Sequence, residues 1–105
     1  MRIVVLFNLR PEVTPDAYEA WARSTDIPAV RSLGSVTRFD VLRATGLLGS
    51  DGAPPYAYVE LIDVGDDAGF GADVGTPQMQ RIAGEFRKYA DDPLFILLQD
   101  IMDPS

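Results

Sequence analysis

Apolar positions fall into four short stretches with a period of two and two longer ones with helical spacing. In Ile3–Leu9, the residues Ile3, Val5, Phe7 and Leu9 share one side, and Val4 and Leu6 share the other, with Asn8 at the end. A strand apolar on both sides needs cover on both, which predicts a central position. Ser35–Ala44 is the second predicted strand, with Val36, Arg38, Asp40 and Leu42 on one face and Thr37, Phe39, Val41 and Arg43 on the other. The third, Tyr56–Val64, places Ala57, Val59, Leu61 and Asp63 on one face. Its other face carries Tyr56, Tyr58, Glu60 and Ile62, so this strand has the means to line a site as well as to support a fold. Leu94–Met102 is the last, apolar without a break from Leu94 to Leu98.

Two Thr-Pro steps announce helices. Thr14 is placed to cap and Pro15 to occupy the first helical position, where its missing N–H costs nothing. Tyr18, Trp21, Ala22 and Thr25 make the inner face, Glu19 and Arg23 pair on the outer flank, and Pro28 predicts a kink near Asp26–Ile27. Val30 and Leu33 complete this face before Gly34. After Gly65, Asp66 or Asp67 caps a short helix bearing Phe70 and Val74. Thr76-Pro77 opens a longer helix with Met79, Ile82, Ala83, Phe86 and Ala90 inside, an Arg81–Glu85 pair outside, and Asp91-Asp92-Pro93 as its stop. The connection Thr45–Pro55 holds Leu47 and Leu48, predicted to fold onto the core or meet a partner chain. The final Asp-Pro-Ser reads as a free tail.

The resulting order, β-α-β-β-α-β, predicts an α+β ferredoxin-like fold over residues 1–105 as a single domain. Its four-stranded antiparallel sheet has the order 4-1-3-2. The two helices cover one sheet face and cannot cover the second, so the two-sided apolarity of the first and last strands predicts a homodimer, sheet against sheet, closing a dimeric α+β barrel. For the second and third strands, the register pairing Arg38 with Glu60 avoids setting Asp40 against Glu60 and is the one expected.

Charge narrows the chemistry. The 105 residues carry 16 acidic and 9 basic side chains, a net charge of −7, with no basic run. That argues against nucleic-acid binding. Cysteine and histidine are both absent. No disulfide, thiolate or imidazole chemistry is available, and the expectation is a protein without metal or cofactor. No apolar run reaches the length of a membrane span, and the start is too short for a secretory leader, so a cytoplasmic location is expected.

The remaining candidates are few. Trp21, Tyr56 and Tyr58 suit stacking against a flat aromatic ligand, or simple core packing. Asn8 is placed to orient a carbonyl, or to be polar at a strand end. Arg38 is a candidate ligand contact, or a member of a structural charge network with Asp40 and Glu60. Asp26 beside the kink and Glu60 on the third strand are the candidate acid/base groups, with capping as the alternative for Asp26. The doublets Asp66-Asp67 and Asp91-Asp92 sit at helix boundaries, where capping explains them better than metal binding. There is no phosphate-binding glycine motif, and GFGAD at Gly69–Asp73 does not follow a strand with the spacing one requires.

The segments MRIVVLFNLRP, YEAWARSTDIP, FDVLRATGLLG, YAYVELIDV, FGADVGTPQMQRIAGEF and LFILLQD resemble the REDY-like HapK family, within the wider dimeric α+β barrel group. The resemblance covers nearly all of Met1–Asp100. It implies an accessory or small-molecule-binding protein in secondary metabolism, of the kind linked with prodigiosin-type pigment clusters. The wider group also implies a cofactor-free enzyme (monooxygenase, isomerase or cyclase type) acting on an aromatic or polyketide-like substrate. A dimer serving only structure or interaction is the third reading. The histidine used by many enzymes of that group has no counterpart here.

Overall fold

The computed structural model describes residues 1–103. Pro104 and Ser105, most of the segment read as a free tail, lie outside the described residues. The elements are β1 (Arg2–Leu9), α1 (Pro15–Trp21), a π-helical turn (Ala22–Asp26), α2 (Ile27–Arg31), β2 (Val36–Arg43), β3 (Tyr58–Val64), α3 (Asp67–Val74), α4 (Pro77–Tyr89) and β4 (Ala90–Leu98). The antiparallel sheet has the order β2-β3-β1-β4, which is the expected order read from the other edge. The helix starts are as the Thr-Pro steps predict. Thr14 accepts from the Ala17 N–H at 3.2 Å and Thr76 from the Met79 N–H at 3.3 Å, while Asp66 caps α3 through the Gly69 N–H at 3.0 Å.

Helices cover one sheet face. Ile3, Val5, Phe7, Phe39, Tyr58, Ile62 and Val64 are buried beneath Tyr18, Trp21, Val30, Met79, Ile82 and Phe86. At one end of this core an aromatic cluster forms. Phe7 stacks on Tyr58 at 5.5 Å and meets Tyr18 and Phe86 edge-on at 5.5 and 5.0 Å, and Trp21 stacks on Tyr89 at 5.0 Å. The other sheet face has no helix. Its centre is apolar (Val4, Leu6, Val59, Leu61, Leu94, Ile96), and its flanks carry the Arg2–Asp63 and Arg38–Asp40 ion pairs.

Four local expectations are corrected. The β2–β3 register pairs Arg38 with Asp63 and Val41 with Glu60, three residues away from the expected Arg38–Glu60 pairing. An odd shift turns side chains to the opposite face, so Arg38 and Asp40 lie on the open face while Glu60 lies under the helices. Asp91-Asp92-Pro93 ends the helix but does not delay the strand: β4 begins at Ala90, and its pairing with β1 shifts between Leu6 and Asn8. That irregularity accommodates Pro93 and the positive φ of 45° at Asp92. β4 ends at Leu98 rather than Met102, and β3 begins at Tyr58 rather than Tyr56. Of the two readings of Leu47 and Leu48, packing onto the core is the one that does not hold for Leu48, which is fully exposed, while Leu47 is 40% exposed.

Candidate functional site

The site is built by a departure from regular helix geometry. The Ile27 N–H bonds the Ala22 carbonyl, five residues back, closing a π turn. Pro28 has no N–H to offer the helical ladder, which favours such a break. In a regular α-helix each step of four residues drifts by about 40° around the axis. The wider turn cancels part of that drift. Tyr18, Ala22, Asp26 and Val30 therefore form one inward stripe at a spacing of four, and all are buried. Asp26 has helical dihedrals and makes no capping hydrogen bond, so the capping alternative does not hold.

Opposite this stripe, β3 turns Glu60 inward between Val5 of β1 and Val41 of β2. Glu60 is 5% exposed, and its Oε2 has no hydrogen-bond partner. An ionised carboxylate in such a place is costly. Burial first, and then the Asp26 charge, push the Glu60 pKa up to about 8. Burial pushes Asp26 up to about 6. At neutral pH Glu60 is thus mainly protonated and Asp26 mainly ionised. Among the described residues the Tyr18 hydroxyl is the other buried side-chain polar atom without a partner. Burial, then the charges of Glu60 and Asp26, raise its pKa far above the ordinary phenol value.

Asp26 and Glu60 line one cavity of about 190 Å³ between the helices and the sheet. Its walls are otherwise largely apolar: Phe39 and Ile62 from the sheet, Phe70 from α3, Met79 and Phe86 from α4, with Phe95 of the edge strand β4 also lining it. Gln80 is the one further polar side chain in the lining, and neither lysine nor arginine contributes to it. A neutral proton donor and a carboxylate proton acceptor thus share a largely apolar, partly open pocket, the arrangement needed for concerted acid/base work on a small molecule.

The other sequence candidates lie elsewhere. Trp21 is packed within the aromatic cluster, and its Nε1–H donates to Glu85 at 3.1 Å. The Tyr58 hydroxyl donates to Glu19 at 2.7 Å, and Glu19 also accepts from Arg43 and Arg23. The Arg43 hydrogen bond, then that of Tyr58, hold Glu19 down at about 2. Asn8 clamps the connection on either side of Tyr56, donating to the Pro55 carbonyl at 3.1 Å and accepting from the Ala57 N–H at 2.9 Å. Tyr56 itself is half-buried just before β3. Asp40 is joined to Arg31 and Arg38 on the face opposite Glu60, so Glu60 is no part of the charge network expected with Arg38 and Asp40. Tyr18 escaped the sequence reading as a polar candidate. The fourfold spacing Tyr18, Ala22, Asp26, Val30 was the available signal. Among the described residues no group of three potential ligands is arranged to hold a metal ion.

Residues 1–101 match the family model of the REDY-like protein HapK. The crystal structure of HapK from Hahella chejuensis is 32% identical, with a TM-score of 0.69, covering 93% of this chain and 92% of that one. A dimeric ferredoxin-like protein from Thermobifida fusca superimposes with a TM-score of 0.72 at 19% identity, over 90% of this chain and 85% of that one. A hydroxynitrile lyase from Passiflora edulis does so with a TM-score of 0.74 at 12% identity, over 90% and 87%. These last two show the shared fold. No curated protein matches the sequence.

Proposed function

The chain belongs to the REDY-like HapK family, and from that premise we propose that it binds an apolar small molecule in the helix–sheet cavity and moves protons on it without a cofactor. Glu60 gives a proton and Asp26 takes one, as in isomerase- or cyclase-type chemistry. The observation that carries this reading is the unpartnered Glu60 carboxyl, buried beside Asp26 and open to an apolar cavity. Groups whose pKa values are pushed toward neutrality by burial in a cleft are the usual mark of acid/base sites. The secondary-metabolite, pigment-type pathway implied by the family resemblance is the setting we assign, in the cytoplasm. No described helix is long and apolar enough to cross a membrane.

A homodimer completes the proposal. The open sheet face has an apolar centre, and Leu94, Ile96 and Leu98 on it are each at least 40% exposed. One fold relative is itself described as dimeric.

Proton transfer is testable without knowing the natural substrate. Small enolisable aromatic ketones such as 2-indanone, incubated with the protein in D2O, should take up deuterium beside the carbonyl faster than buffer allows. Acid/base catalysis contributes ~10²–10⁴-fold, and Asp26→Asn should remove most of it. Exchange no faster than in buffer across a panel of such ketones would reduce the site to binding alone.

A further inference from the structure

The chemistry of the cavity wall narrows the ligand class, an inference that rests on the binding reading above. We infer that the cavity takes an apolar one-ring body bearing a basic, N–H-donating head, of the amidine or amine kind, and rejects anions. Three observations converge on this. The ionisable groups in the lining are two carboxyls, Asp26 and Glu60, with no lysine or arginine beside them. Among the described residues Glu60 Oε2 is buried without a hydrogen bond, and Asp26 makes no capping hydrogen bond. The space is small: about 190 Å³, against the ~150 Å³ that suffices for a benzene ring.

What the pair lacks is a set of donors and a positive charge. An N–H-rich cation supplies both, giving charge-assisted hydrogen bonds to two carboxylates in a largely apolar pocket. An anionic ligand would meet Asp26 across the same pocket with no compensating charge. A neutral ligand would satisfy the hydrogen bonds and leave the charge of Asp26 unpaired. The walls suit the ring: Phe39, Ile62, Met79 and Phe86 offer apolar and aromatic contact.

The pair also gives binding a proton signature. The groups facing Glu60 are Tyr18 from α1, Asp26 from the π turn and Tyr58 on its own strand, whereas its β1 and β2 neighbours, Val5 and Val41, are uncharged. From α4 the polar contribution to the lining is the neutral Gln80. A bound cation lowers the pKa of both carboxyls. At pH 7 Glu60 starts mainly protonated, so binding of a cation releases that proton and leaves both carboxyls as acceptors, while the donor role of Glu60 belongs to neutral ligands.

The test is calorimetric titration of the full chain with benzamidine, benzamide, benzoate and toluene, in two buffers of different ionisation enthalpy. Benzamidine should bind at least ~10-fold more tightly than benzamide, with proton release, and benzoate should bind more weakly than toluene. Glu60→Gln should remove the proton release and cut the benzamidine preference at least ~3-fold, the remainder coming from the Asp26 charge. If that variant does not fold, Asp26→Asn should show the same loss of preference. Benzoate binding as tightly as benzamidine would overturn the inference. Toluene and benzamide binding with no preference for benzamidine would also overturn it while leaving the cavity reading intact. No binding by any of the four would overturn both.

Discussion

Stability is expected to fall as pH rises from about 4.5 to about 8, the reverse of the usual behaviour of carboxylate-rich proteins. The Glu60 pKa is about 8 when folded, from an ordinary value of 4.5. Asp26 moves from 3.8 to about 6. Across each of these windows the folded chain holds a proton that the unfolded chain has released, so stability decreases with pH. Glu19 acts oppositely: its folded pKa is about 2, so its contribution is present above the unfolded value and is lost as pH falls toward 2. The optimum should therefore lie near pH 4–5. At ~1.4 kcal/mol per pH unit for one proton, the Glu60 window alone amounts to about 4 kcal/mol. That is a large share of the ~5–15 kcal/mol that holds a domain folded. Glu60→Gln should match the wild type near pH 5 and exceed it by ~2–4 kcal/mol at pH 8.5, with a flatter profile between. Urea denaturation at half-unit pH steps measures this. A wild-type stability that rises from pH 5 to pH 8 would mean that Glu60 is not buried and unpartnered.

Ile96→Lys is expected to convert the protein from dimer to monomer. Ile96 pairs with Val4 at the apolar centre of the open face. In the monomer Ile96 is 40% exposed, and a lysine there reaches water, so the fold should survive. Between two sheets the ammonium group would be sealed against apolar side chains, and β4 supplies it no carboxylate on this face, since Leu94 and Leu98 flank it. Desolvating an unpaired charge costs several kcal/mol per copy, and a twofold interface counts it twice. Sedimentation at micromolar concentration should give about twice the 11.5 kDa chain mass for the wild type and the chain mass for the variant. A wild-type monomer would leave the open face without the cover proposed for it.

Much of the fold was legible because the signals were local. Period-two stretches marked the strands, Thr14-Pro15 and Thr76-Pro77 marked helix starts, and the continuous apolar run in β4 marked a strand needing cover. The register of β2 on β3 was not legible. The connection Thr45–Pro55 is too long to fix it, and the charge rule used in its place assumes a solvated face. Glu60 breaks that assumption by lying neutral beneath helices, so its best neighbours are Val5 and Val41 rather than Arg38. The site was half legible. Asp26 and Glu60 stood out singly as acids in unusual settings, but their meeting depends on the π turn. The kink predicted at Pro28 foretold a disturbance there, not the direction in which it rotates Asp26. Trp21, the most conspicuous aromatic, went to the core because Tyr89 and Phe86 fill the space around it.

The central claim is that a neutral carboxyl sits beside an ionised one in an apolar cavity. Carbon-detected NMR of the side-chain carboxyls, with Glu60 and Asp26 assigned through Glu60→Gln and Asp26→Asn, reads this directly. Glu60 should titrate near 8 and Asp26 near 6, and removing Asp26 should lower the Glu60 midpoint because its charge contributes to the shift. Both carboxyls titrating below 5, in the ordinary range for exposed acids, would contradict the account.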